Sequence, residues 1–120
     1  MKTMIPERLK KEFFIELFIF CIGIGTMALF FENNILVSII LLALCLIRLW
    51  LYHRKDDLFF FFSGALFGPV SEIILVSFGV WRYANPTFLG VPMWLPFAWG
   101  LATLMIKRFA EIFVKIEVKK

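Results

Sequence analysis

Glu72 is the residue of this chain best placed to do chemistry. It is the one ionisable side chain between Leu58 and Val80, a stretch otherwise apolar or small. A carboxylate facing hydrocarbon costs several kcal/mol, so Glu72 must face protein or water, or hold a proton. Gly68-Pro69 stands just ahead of it. Proline removes a backbone hydrogen bond and crowds the preceding turn, which predicts a kink or break about 15 Å from the start of the span, near the bilayer midplane. On a helical wheel Gly64, Gly68, Ser71, Glu72 and Gly79 fall within an arc of about 100°. Small residues around one carboxyl let another helix approach closely.

A second irregular stretch runs Gly90-Val91-Pro92-Met93-Trp94-Leu95-Pro96-Phe97-Ala98-Trp99-Gly100. Its two prolines stand one helical turn apart, and Pro92, Pro96, Trp99 and Thr103 share a face. Helices interrupted at similar depth, one with an ionisable group, are a pattern of midplane binding sites. Broken backbone in a membrane must be buried in protein or line a cavity. The expectation is a pocket between the third and fourth spans, opening outward. Its walls would be Glu72, Ser71, Trp94 and Trp99, with Trp81, Arg82 and Tyr83 at the rim.

Plainer readings compete with this one. A Gly-Pro kink can serve packing alone, and Arg82 could neutralise Glu72 without any ligand. Trp50, Trp81 and Tyr83 suit interfacial anchors. Glu16 and Arg48 lie at comparable depth in adjacent spans and are expected to form an ion pair joining them. Cys21 and Cys45 fall inside apolar segments, where they act as small hydrophobes, and His53 stands alone. No metal site or cofactor is expected. Nucleophile–base pairs, phosphate loops and carboxylates paired at one depth are missing from the sequence, which leans against catalysis without excluding it.

The elements that must position these residues follow from composition. Of 120 residues, 62% are hydrophobic and 16 are Phe, against roughly 45–50% apolar in soluble domains. The mean hydropathy is +0.89. A soluble domain of this size could not bury so much apolar surface. The predicted fold is all-α: one membrane domain, a bundle of four transmembrane helices, with the third and fourth interrupted near the midplane at Gly68-Pro69 and at Pro92 and Pro96. The spans are residues 13–31, 35–52, 58–80 and 88–106, each near the roughly 20 residues a crossing needs. Short polar turns between them make neighbours antiparallel. The Phe59 to Phe62 run is expected to face lipid.

Eleven of the 13 basic residues lie on one side. They are Lys2, Arg8, Lys10 and Lys11, then Arg54 and Lys55, then Lys107, Arg108, Lys115, Lys119 and Lys120. By the positive-inside rule both termini are cytoplasmic, in a cell (inner) membrane. The net charge of +4 therefore reads as topology and lipid headgroup contact, not nucleic-acid binding. In 107–120, Phe109, Ile112, Phe113 and Ile116 recur at helical spacing. That tail is either the fourth helix running on or an amphipathic helix in the headgroup region. Pro6 suits a helix first turn, and Glu7 to Glu12 is a charged lead-in to the first span.

Taken together, Gly68-Pro69-x-x-Glu72, Gly79-x-Trp81-x-Tyr83-x-x-Pro86 and Gly90-x-Pro92-x-Trp94-x-x-Pro96-x-x-Trp99-Gly100 resemble a signature of small uncharacterised bacterial polytopic membrane proteins. The likeness covers about 40 residues, leaves out the first two spans and implies no activity. In length and span number the chain is also similar to the small multidrug transporters, whose essential glutamate Glu16 would match. Its charge asymmetry departs from the dual topology of some of those proteins. The function expected is binding or moving an amphipathic or lipid-like ligand around Glu72, with a homo-oligomer left open. The alternatives are an intramembrane enzyme acting on a lipid or isoprenoid, and a structural or accessory subunit of a membrane complex.

Overall fold

The computed structural model describes residues 7–119, with side chains as far as residue 114. Lys2, Pro6 and Lys120 lie outside the described residues, as do the side chains of Lys115, Ile116 and Lys119. Four helices account for most of the chain: α1 (Glu7–Phe30), α2 (Asn34–Leu51), α3 (Asp57–Ser77) and α4 (Leu95–Lys119). Three of them, α1 to α3, are long and apolar enough to cross a membrane. The charged stretch Glu7 to Glu12 is the helical first turns of α1. Asn33 caps α2, its side chain accepting from the Leu36 N–H at 3.0 Å.

Two sequence expectations need correction. α3 is not interrupted at Gly68-Pro69; it runs unbroken through both residues. Packing outweighs the bond that Pro69 cannot donate. A side chain at Gly68 would run into the Trp99 indole, and a Cβ at Gly64 would come within 2.9 Å of the Trp99 carbonyl. The two bare positions seat α3 directly on α4, and the helix continues across the proline. Nor is the fourth helix interrupted. It begins only at Leu95, whose N–H reaches the Pro92 carbonyl at 3.2 Å. Pro96 sits in the first turn, where its missing N–H costs nothing. The prolines start α4, and α4 continues into the C-terminal tail without a break.

Residues 78–94 are therefore not helical. Gly79, at φ +80°, ends α3 by turning back, its N–H bonded to the Val76 carbonyl at 2.9 Å, a usual role for glycine just past a helix. The segment then folds into a tight turn at Phe88–Val91, with Leu89 at φ 50° and Gly90 at φ 84°. Val91, Pro92 and Trp94 are buried beneath it. Asn34 holds this segment to the α1–α2 turn. Its amide donates to the Asn85 carbonyl at 2.9 Å and to Thr87 Oγ1 at 2.8 Å, and its Oδ1 accepts from Trp94 Nε1 at 3.1 Å. Asn85 answers with bonds to the Phe31 and Glu32 carbonyls. Asn34→Ala leaves the Trp94 N–H without its acceptor and should destabilise by about 2–3 kcal/mol. Loss of the helix cap alone in Asn33→Ala should cost about 1 kcal/mol. Thermal unfolding in detergent checks the order; equal losses would mean that the Asn34 bonds to the 78–94 segment are worth no more than the Asn33 cap.

α4 is the central helix. It packs against all three others, whereas α3 packs substantially on α4 alone and α1 pairs with α2. The surface is apolar: Phe14, Phe18, Leu29, Ile35, Trp50, Phe62 and Phe67 all point outward. The Phe59 to Phe62 run divides, for Phe59 and Phe62 are exposed while Phe61 is buried, packed where Gly100 leaves room. The interior holds the charges, with Glu16, Arg48, Asp57, Glu72, Lys107 and Arg108 all buried.

Candidate functional site

Where α1 and α3 stand apart across α4, a cavity of about 360 Å³ opens. Ile19, Gly23 and Met27 of α1 form one wall, and Leu95, Ala98 and Ala102 of α4 form the floor. Phe20 and Ile24, both exposed at mid-helix, border it. The mouth is thus on the flank of the bundle, not at its end. Glu72 enters from α3, Tyr83 and Trp94 from the 78–94 segment, and Trp99 from α4.

Both oxygens of Glu72 are engaged. Trp99 Nε1 donates to Oε2 at 2.6 Å, and the Tyr83 hydroxyl donates to Oε1. The Tyr83 ring meets Trp94 edge to face, with centroids 6.2 Å apart. Three elements thereby fix one carboxyl, which is 9% exposed. Glu16 lines the other end of the cavity. Its carboxylate accepts from Arg48 Nε at 2.6 Å, with both side chains buried.

The pocket expected from sequence lies elsewhere in part. Trp94, Trp99, Tyr83 and Glu72 do come together, but α1 supplies the facing wall, not the third span. Ser71 is exposed and spends its hydroxyl on the Phe67 carbonyl at 2.8 Å. One residue's difference in register turns it to the outside of α3. Arg82 is also exposed and makes no ion pair among the described residues. It is not paired with Glu72, whose Oε1 accepts instead from the neutral hydroxyl of Tyr83, next along the chain. Trp81 is exposed and does not line the cavity.

Sequence reasoning missed the charged layer beneath the cavity. Arg48 Nη1 reaches the Tyr52 carbonyl at 2.9 Å and Asp57 Oδ2 at 3.4 Å. Lys107 Nζ lies 2.8 Å from Asp57 and 2.9 Å from Glu111. Arg108 Nε lies 3.4 Å from Glu12, and its Nη1 also pairs with Glu111. Both guanidiniums stand over the Tyr52 ring, at 4.1 and 5.2 Å. Burial alone would lower the Lys107 pKa, but bonds to Asp57, Glu111 and Asp56 carry it above the ordinary value, so the ammonium stays charged. The signal was present in the alternation of acids and bases at the helix ends, which also reads as membrane topology.

No family model, curated protein or solved structure matches this chain. Among the described residues no group of three or more His, Cys, Asp or Glu could hold a metal ion. Cys21 and Cys45 are both unpaired. Chemically, the site offers one positioned carboxyl, a phenol that donates to it, an indole N–H and an apolar chamber reached from the side.

Proposed function

We propose that this chain is an integral membrane protein that binds or moves an amphipathic or lipid-like ligand in the cavity at Glu72. It crosses the inner membrane four times, with both termini cytoplasmic. α1, α2 and α3 make three crossings, and the 78–94 segment with α4 makes the fourth. The basic ends of the helices would lie at the cytoplasmic headgroups. The resemblance to small bacterial polytopic membrane proteins belongs to the same proposal.

The observation carrying the reading is an apolar chamber with one carboxyl held from two sides. A volume of about 360 Å³ lies in the range of small-molecule sites, which are mostly apolar with a few placed polar groups. A mouth at mid-helix gives access from the bilayer, where amphiphiles are concentrated. Native mass spectra of the full chain, wild type and Glu72→Gln, test it. An adduct of defined mass on wild type that falls by about tenfold in the mutant is the expected result, the loss typical when a buried polar contact is broken. Bare protein in both spectra would end the reading.

A second reading has one observation of its own. Glu16 lines the same cavity as Glu72, so an intramembrane enzyme acting on a lipid or isoprenoid would have two carboxyls in reach of one substrate. It predicts that Glu72→Gln abolishes turnover while the adduct remains.

A further inference from the structure

We propose that the cavity takes a lipophilic organic cation, an amine or quaternary ammonium on an apolar body, with its charge against Glu72. The inference rests on the ligand-site reading above and names the class of ligand. It follows from an account of charge around the cavity. Two carboxyls line it, Glu16 and Glu72. Glu16 already has its counter-ion, Arg48 Nε, at 2.6 Å. Glu72 has none: its partners, Tyr83 and Trp99, are neutral donors. Among the described residues no cation comes within ion-pair distance of it, and Arg82 is exposed.

Neutral donors orient a carboxylate but do not cancel its charge. An ionised Glu72 thus leaves one uncompensated negative charge in an apolar chamber, where a cation gains most. A bare metal ion does not suit the place. Calcium takes six or more oxygens and magnesium a near-octahedral set, whereas the walls here are aliphatic and aromatic. An organic cation needs no such shell. Its apolar body fits between Ile19, Met27 and Ala98, and its head meets the rings of Trp94, Trp99 and Tyr83, which favour a positive charge over their faces. An anionic amphiphile would bring its head group towards the unbalanced Glu72 carboxylate, which disfavours fatty acids and phosphate-headed lipids.

Three probes with one chain length separate the cases: octyltrimethylammonium, octanol and octanoate. Each is titrated calorimetrically into the full chain in neutral maltoside detergent, with empty micelles subtracted. The expected order is cation, then alcohol, then acid, with the cation tighter than the alcohol by about tenfold or more. In Glu72→Gln the cation should lose its advantage, the ratio of its affinity to that of the alcohol falling to about one. Octanol binding as tightly as the cation to wild type overturns the inference and leaves the ligand site standing, as does octanoate binding best. If none of the three binds, the site reading fails with it. The wild-type comparison decides the matter even where the variant does not fold.

Discussion

Arg48→Met should cost about 3–5 kcal/mol of stability, because it leaves the Glu16 carboxylate buried with no counter-ion. Arg48 is fully enclosed, and three of its contacts are to groups that cannot turn to solvent: Glu16, Asp57 and the Tyr52 carbonyl. Asp57 keeps Lys107 at 2.8 Å, so the harm centres on Glu16. The double variant Arg48→Met/Glu16→Gln removes both charges and should recover most of the loss. Thermal unfolding of wild type, Arg48→Met, Glu16→Gln and the double variant in one detergent forms the necessary cycle. If the double variant is no more stable than Arg48→Met, the pair is not the source of the cost.

Gly68→Val carries the second large effect. The new Cβ would overlap the Trp99 indole at three ring atoms, and an indole has no flexible end to move aside. Either Trp99 swings out or α3 lifts from α4. Overpacking of this kind costs about 1–3 kcal/mol, and both escapes take Nε1 away from Glu72. Stability and the Glu72-dependent adduct should therefore fall together, with a shift in tryptophan emission. Gly25→Val is the control, since nothing lies within 4 Å of its Cβ; its unfolding should stay within about 0.5 kcal/mol of wild type. A Gly68→Val protein that keeps the adduct would separate the α3–α4 seat from the site.

The contrast between these glycines shows what could be read in advance. α1, α2 and α3 were legible because long apolar runs with polar turns have few other outcomes, and helix arithmetic alone sets Glu16 and Arg48 at one depth. The start of α4 was not. Apolar residues run from Phe88 onward, and only tertiary contacts decide that 78–94 folds as coil tied to Asn34 while Pro96 opens the helix. The partner of Glu72 was open for the same reason: Arg82 and Tyr83 are neighbours, and backbone turns after Gly79 determine which one faces inward. Ser71 shows the limit of a wide arc on a helical wheel, which admits residues lying just outside the contact. The facing wall of the cavity, on α1, could not be found without knowing that α4 sits between α1 and α3.

If the chain spans a membrane as proposed, the pairing of Glu16 with Arg48 also bears on how it inserts. Each charge alone in an apolar helix opposes insertion by about 2.5–3.5 kcal/mol at mid-depth. α1 and α2 are joined by a three-residue turn, so the two can partition together as a neutralised hairpin before the rest of the chain is made. Glu72 has no such early partner. Its hydrogen-bond donors, Tyr83 and Trp99, emerge from synthesis 11 and 27 residues later. The acid of α3 must then be carried as a neutral side chain, or be kept near water, until the following segment arrives. On the proposed four-span reading, insertion is thus a sequence of two hairpins, the first with its ion pair already closed and the second complete only when α4 has come in between.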